Sequence, residues 1–259
     1  MSVPRCLTIA ASDSGGGAGI QADLKAFAAV GCHGMSALVA LTAQNTVGVT
    51  AVHELPPEFV RAQLEAVVDD IGVDAAKTGM LFSQPLIETV ADFLQEHRFP
   101  LVVDPVMVSS TGARLLLEDA VETLVGRLFP LATVVTPNLD EAVALAGFSG
   151  SRRDLAERLH ELGAAAALVT GGHGDEPVDH LFDGSEHLEI PVERHPVAAT
   201  HGAGCTHSAT LAALLARGET LPEAARGAAR AASEAVRHGL AGIGAGEGPV
   251  DVFDLQRAR

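Results

Sequence analysis

The chain alternates between two kinds of apolar segment. Short runs bounded by Gly, Pro, Ser or Asp fall at 6–11, 36–42, 75–80, 101–104, 133–136 and 165–170, and they predict buried strands. Between them, apolar positions at helical spacing predict helices over 20–30, from 57 to about 71, over 84–96 and 118–128, from 138 onward, and over 153–162. The second of these shows the pattern well. Phe59, Leu64, Val67, Val68 and Ile71 follow Pro57, whose missing N–H is tolerated in a first turn. Residues 49–54 read as a short extra strand. Residues 180–183 and 188–192 predict a hairpin turning at Asp183-Gly184. Two alanine-rich helices follow, from 205 and over about 222–238, and then a glycine-rich loop over 239–249 near the site or the surface. The alternation predicts one doubly wound α/β domain over 1–259, with a mostly parallel central sheet and helices on both faces.

Composition narrows the setting. At 47% hydrophobic residues, the 259-residue chain is too apolar to be disordered, yet its apolar runs are too short to cross a membrane. The first residues lack the features of a signal peptide, and three cysteines (Cys6, Cys32 and Cys205) show no metal-ligand spacing. A cytoplasmic protein is expected. The formal charge of −16 argues against nucleic acid and anionic membranes as partners. It also sets a problem for any phosphate-bearing ligand, because lysine occurs only as Lys25 and Lys77.

The candidate chemistry lies at the predicted strand ends, where open α/β sheets bind ligands. Most informative is Thr200-His201-Gly202-Ala203-Gly204-Cys205-Thr206, a glycine-broken turn running into an apolar helix. Gly202 and Gly204 permit unusual backbone angles, so amides near Ala203, Gly204 and Cys205 can turn inward and form an anion site. The Cys205 thiol at that helix start is expected to have a lowered pKa. The bland alternative is a glycine turn capped by Thr206, with Cys205 as packing. Ser12 to Gly19 forms a second glycine loop, but it matches neither the dinucleotide fingerprint nor a P-loop. Asp23 after it is either a substrate ligand or a helix-start acid. Gln44 at a strand end suits a heterocycle edge, or ties down its own loop. Lys77 is expected to be buried and paired, and Met80 to pack in the core or on a flat ligand. Asn138 and Glu141 share a helix face, where they can hold Mg²⁺, form a capping box, or do both. Gly171-Gly172-His173-Gly174 is a further glycine turn at a strand end.

Taken in order, these motifs resemble the hydroxymethylpyrimidine/phosphomethylpyrimidine kinases of the ribokinase-like superfamily. The resemblance rests on Ser12-Asp13 with Gly16 to Asp23, Thr42 to Thr46, Lys77 to Leu81, Asp104 to Met107, Thr136-Pro137-Asn138 with Glu141, Gly171 to His173, and Thr200 to Thr206. It implies transfer of phosphate from MgATP to a hydroxymethylpyrimidine and then to its monophosphate, by a homodimer. It further implies that Asp23, Gln44, Met80, Val106 and Ala11 line the pyrimidine site, and that Thr170, Gly172, His173 and Thr206 line the nucleotide site. By the same resemblance Asn138, Glu141 and Asp104 belong to the Mg²⁺ site. Gly202, Ala203 and Gly204 form the anion hole, with Cys205 as base. Four positions depart from the family pattern. Ala11 replaces a usual Gly and narrows the pyrimidine pocket, and Ala203 replaces a frequent Thr. Thr170 and Ser110 stand where many relatives carry Lys. Pyridoxal kinases of the same branch, and a non-catalytic pyrimidine binder, are the alternatives.

Overall fold

The computed structural model describes residues 2–108, 112, 115–117, 120–172 and 176–255. Its elements run β1 (Arg5–Asp13), α1 (Gly19–Ala29), β2 (His33–Gln44), β3 (Val49–Glu54), α2 (Pro57–Asp70), β4 (Ala75–Thr78), α3 (Gln84–Glu96), β5 (Leu101–Val103), α4 (Ala120–Leu128), β6 (Val134–Val135), α5 (Leu139–Ala146), α6 (Arg152–Glu161), β7 (Ala167–Val169), β8 (Val178–Phe182), β9 (His187–Pro191), α7 (Ala203–Ala216) and α8 (Leu221–Arg237). Thus the expected helix over 118–128 is described from Ala120, and α7 starts two residues before Cys205. Among the described residues no helix is long and apolar enough to cross a membrane.

Among the described residues, nine strands join one sheet, in the order β3-β2-β1-β4-β5-β6-β7-β8-β9. Pairing is parallel from β2 through β7. The antiparallel β3 forms one edge, and the β8–β9 hairpin completes the other. Chain order and strand order reverse at β1, which pairs β2 on one side and β4 on the other. That is the switch point where an open sheet leaves a crevice beyond its carboxyl ends.

Two apolar layers sandwich the sheet, and the period-2 alternation of strand side chains assigns each residue to a layer. Leu7, Ile9, Leu101, Val103, Val135, Ala167 and Val169 face the layer built with α2 to α6. Cys6, Val102, Val134, Ala166 and Leu168 face the layer built with α1, α7 and α8. Lys77 breaks this pattern. Its neighbour Ala76 belongs to the first layer, so Lys77 projects into the second, fully buried, in the middle of the sheet.

Lys77 keeps its charge there because two carboxylates meet it, each held in turn by a hydroxyl. Its Nζ donates to Asp23 Oδ1 at 3.0 Å and Oδ2 at 3.2 Å, on α1, and lies 3.4 Å from Asp104 Oδ2, just past β5. Thr8 on β1 donates to Asp23 at 2.6 Å, and Ser208 on α7 donates to Asp104 at 2.7 Å. Burial disfavours the charged form of Lys77, but Asp23, and then Cys205 and Asp104, outweigh it and hold the ammonium above its usual pKa. Asp23 was expected either to bind substrate or to serve as a helix-start acid. It does neither: with no exposed surface and both oxygens engaged, it is the counter-ion of Lys77.

Removing one member of such a set leaves uncompensated buried charge, which costs about 3–5 kcal/mol. Lys77→Met is therefore expected to lower the urea midpoint by that order of stability. An unchanged midpoint would show that the ion pairs do not hold α1 and α7 to the sheet.

Candidate active site

One cavity of about 770 Å³ opens over the carboxyl ends of the parallel strands. Its wall follows the strand order. Ala11 and Asp13 come from β1, Gln44 from β2, Met80 from the turn after β4, and Asp104 and Val106 from the turn after β5. Asn138 and Glu141 come from the start of α5, and Thr170 and Gly172 from the turn after β7. Gly202, Ala203, Gly204 and Cys205 at the start of α7 lie between these groups. All but three of the expected site residues line this one cavity. Asp23 is buried beneath it. Thr206 is also buried and absent from the wall, and its Oγ1 has no hydrogen-bond partner among the described residues. His173 lies outside the described residues, as does Ser110.

Two glycine loops meet over the cavity through one carboxylate. Asp13 accepts from the amides of Gly15 (2.7 Å), Gly17 (3.0 Å) and Ala18 (2.8 Å), and His201 Nε2 lies 3.0 Å from its Oδ2. Burial tends to raise the Asp13 pKa, but the His201 contact and the amide bonds hold it below the usual carboxylate range. The joint leaves no spare room. Gly202 has φ +84°, and a Cβ there would come within 1.8 Å of Gly17 O. Gly204 is different from the expectation: its backbone is helical, and a Cβ there would meet nothing within 4 Å. Its lack of a side chain keeps space open rather than permitting a special angle.

The anion cradle is narrower than the sequence implied. The Ala203 amide is consumed inside the turn, donating to Thr200 O at 3.0 Å. Gly204 and Cys205 keep amides without an acceptor among the described residues, at the positive end of a 14-residue helix. Two orphan donors beside open space fit a phosphate oxygen.

Cys205 does not have the depressed pKa expected from its position. Burial pushes its thiol up to about 12. Lys77 and the Gly19 amide pull it down, while Asp23 and Asp104 add to the rise. The helix start alone was legible in the sequence, whereas the carboxylates stacked beneath the thiol were not.

Asn138 and Glu141 form the capping box in full. Asn138 Oδ1 accepts from the Glu141 amide at 2.9 Å, and Glu141 Oε2 accepts from the Asn138 amide at 3.0 Å. Glu141 Oε1 also accepts from the Met107 amide at 3.2 Å. Burial, and then repulsion from Asp104, push the Glu141 carboxyl up to about 7. A Glu141 carboxyl that holds its proton against the charge of Asp104 fits a divalent cation, which would relieve that repulsion. The donors are oxygens of the kind Mg²⁺ prefers, with water completing the shell. Among the described residues no group of three or more His, Cys, Asp or Glu side chains makes a metal cage.

Gln44 does not tie down its own loop. Its Oε1 accepts from Thr42 at 3.1 Å, and its Nε2 lies 3.5 Å from His201 Nε2 on the cavity wall. Sequence reasoning missed Asp13, His201, Asp179, His207 and Arg194 as wall residues. Asp13 carried a usable signal, since an acid between a strand and a glycine loop is positioned to collect its amides. Asp179 is the second residue of β8, near the start of an antiparallel strand and not at a carboxyl end that would mark it.

The thiol pKa has a direct readout. Alkylation of Cys205 in the ligand-free chain is expected to be slow at neutral pH and to climb about tenfold per pH unit through the alkaline range, because the thiolate is the nucleophile. A fast rate already level near neutrality would overturn the elevated pKa.

Residues 13–251 match the family model described as phosphomethylpyrimidine kinase. The hydroxymethylpyrimidine/phosphomethylpyrimidine kinase of Streptomyces coelicolor is 49% identical over 253 residues, covering 96% of this chain and 94% of that one. The crystal structure of phosphomethylpyrimidine kinase from Clostridium difficile superposes with a TM-score of 0.80 at 39% identity, over 91% of this chain and all of the other. Pyridoxal kinase from Staphylococcus aureus, solved with AMP-PCP and pyridoxal, superposes with a TM-score of 0.89 at 33% identity, over 99% of this chain and 96% of that one. With its strand order, its crevice and these likenesses together, the chain belongs to the phosphomethylpyrimidine kinase family.

Proposed function

We propose that this chain phosphorylates 4-amino-5-hydroxymethyl-2-methylpyrimidine from MgATP, and then phosphorylates the monophosphate to the diphosphate, as a one-domain cytoplasmic homodimer. The observation that carries the reading is the open cradle at the start of α7. It lies between a polar-and-apolar pocket on β1, β2 and β4 and a glycine turn after β7.

In this reading the pyrimidine lies against Ala11, Met80 and Val106, with Gln44 on its heteroatom edge. Its hydroxymethyl group points toward Cys205. The Gly204 and Cys205 amides face the transferring phosphoryl group and stabilise charge there without reorganising. Mg²⁺ near Asp104 and Glu141 supplies neutralising charge for the phosphates when bound. Lys77, fixed below, favours a thiolate at Cys205. Because the thiol is neutral at rest, base catalysis draws on a small thiolate fraction, so turnover should rise with pH.

A coupled assay of ADP release with the pyrimidine, its monophosphate and pyridoxal tests the substrate assignment. Turnover of pyridoxal alone would transfer the reading to the pyridoxal kinases that this fold also resembles.

Cys205→Ala is expected to lower kcat by roughly 10²-fold or more, the usual range for a general base. It should also flatten the alkaline rise of kcat, with little change in pyrimidine affinity. Full activity with the same pH profile would make Cys205 a packing residue.

Glu141 gives a second check through stability. Its raised pKa means that the folded chain holds a proton that the unfolded chain has released between about pH 4.5 and about pH 7. Its contribution therefore falls as pH rises across that window. Mg²⁺ should raise the melting temperature more at pH 8 than at pH 5.5, and a pH-independent Mg²⁺ effect would exclude Glu141 from the metal site. Glu141→Gln is not a neutral control here. Its NH₂ would face one of the two backbone N–H groups that the carboxylate now accepts.

A further inference from the structure

The cavity wall is short of positive charge. Among its described residues, seven carboxylates face two permanent cations, Lys77 and Arg194. Lys77 is committed to Asp23 and Asp104 beneath the floor. A nucleoside triphosphate entering this cavity adds further negative charge to a chain already at −16. Thr170, at the end of β7, brings none to offset it.

Arg194 stands beside that position. It follows β9, lines the cavity, and its Nη2 donates to Gly171 O at 3.3 Å, one residue past Thr170. The peptide it touches is itself fixed. Asp179 Oδ1 accepts from the Gly171 amide at 2.6 Å, and Asp179 Oδ2 lies 3.2 Å from His207 Nε2 on α7. A Cβ on Gly171 would come within 2.2 Å of Val178 O, so the turn is pressed against β8. The guanidinium is thus anchored at the β7 side of the cavity by an arrangement that reaches α7 two residues from Cys205. The planar fork of an arginine can hold a carbonyl and a phosphate oxygen together, which a point-charge ammonium does less well.

We propose that Arg194 is the phosphate-binding cation of the nucleotide site, recognising the phosphate chain of a nucleoside triphosphate from the turn after β7. This rests on the kinase reading above. Its place opposite Ala11, Gln44 and Met80 in the strand order makes it specific for the nucleotide and not for the pyrimidine. Because Arg194 is solvent-exposed, its effect is screened by salt.

The test is calorimetric titration of the β,γ-methylene analogue of ATP into the full chain without pyrimidine, at two ionic strengths. Arg194→Gln is expected to weaken binding roughly tenfold to a hundredfold at low salt, the range for a lost charge-assisted hydrogen bond, and less at high salt. The melting temperature and the KM for pyrimidine should stay unchanged. Adding Thr170→Lys to Arg194→Gln should recover part of the affinity, since it returns a cation to the same turn. Equal binding by Arg194→Gln and the unchanged chain overturns the proposal and leaves the kinase reading intact. A loss that is insensitive to salt and not reduced by Thr170→Lys assigns Arg194 a structural role and overturns it too. If the unchanged chain binds no nucleotide, both readings fall.

Discussion

A lysine with no exposed surface, placed in the middle strand region of a parallel sheet, sets the terms for everything above it. An ammonium in that position survives only with carboxylates brought to it from outside its own strand. Asp23 arrives on α1 and Asp104 at the end of β5, with Ser208 on α7 tying Asp104 down. Leaving any one of these charges alone would cost several kcal/mol, comparable to a large share of the stability of a domain. The set therefore fixes how α1, β4, β5 and α7 sit relative to one another. Those same elements present Gly19, Met80, Asp104 and Cys205 at the cavity. Stability and site geometry are specified by one group of buried charges.

The group also decides the protonation of the residues above it. At the start of α7, the helix dipole and nearby amides favour a thiolate by about 0.3–2 kcal/mol. Burial of a full charge opposes that by several kcal/mol, and the carboxylates Asp23 and Asp104 add to the opposition. Burial wins, and Cys205 rests as a thiol. Glu141 follows the same logic from the other side, since burial and Asp104 hold its proton to about pH 7. The ligand-free cavity thus holds a protonated thiol and a proton-retaining Glu141 beside an ionised Asp13 and further carboxylates, so a phosphate chain needs cations to enter it. Arg194 at the rim, and a divalent ion at Asp104 and Glu141, are the cations proposed above to meet that need.

Much of this was legible along the chain because the signals are local. Strand–helix alternation follows from short-range apolar periodicity, and most parallel strand ends are marked by Gly, Asp or Pro, that of β2 by Gln44-Asn45. Gln44, Met80, Asp104, Asn138, Glu141 and the 202–205 turn were placed at strand ends by that reading, and the fold gathers them over one crevice. The Asn138–Glu141 capping box needed only a three-residue spacing and is present in full.

What the sequence could not supply were contacts made by residues far apart in the chain. Asp23 looked like a helix-start acid because its partner, Lys77, lies 54 residues away and is reached only when β4 pairs with β1. The rise in the Cys205 pKa comes first from burial by elements packed around it, and then from carboxylates on α1 and after β5, none of which a local window contains. Asp13 joins the two glycine loops through His201, 188 residues on. Arg194 reaches Gly171 because the β8–β9 hairpin folds back along β7. By itself the sequence determined the elements and the candidate groups at their ends, since those depend on neighbouring residues. The tertiary structure decided which groups are buried, charged or paired, because desolvation and Coulomb energy depend on every element packed around a group.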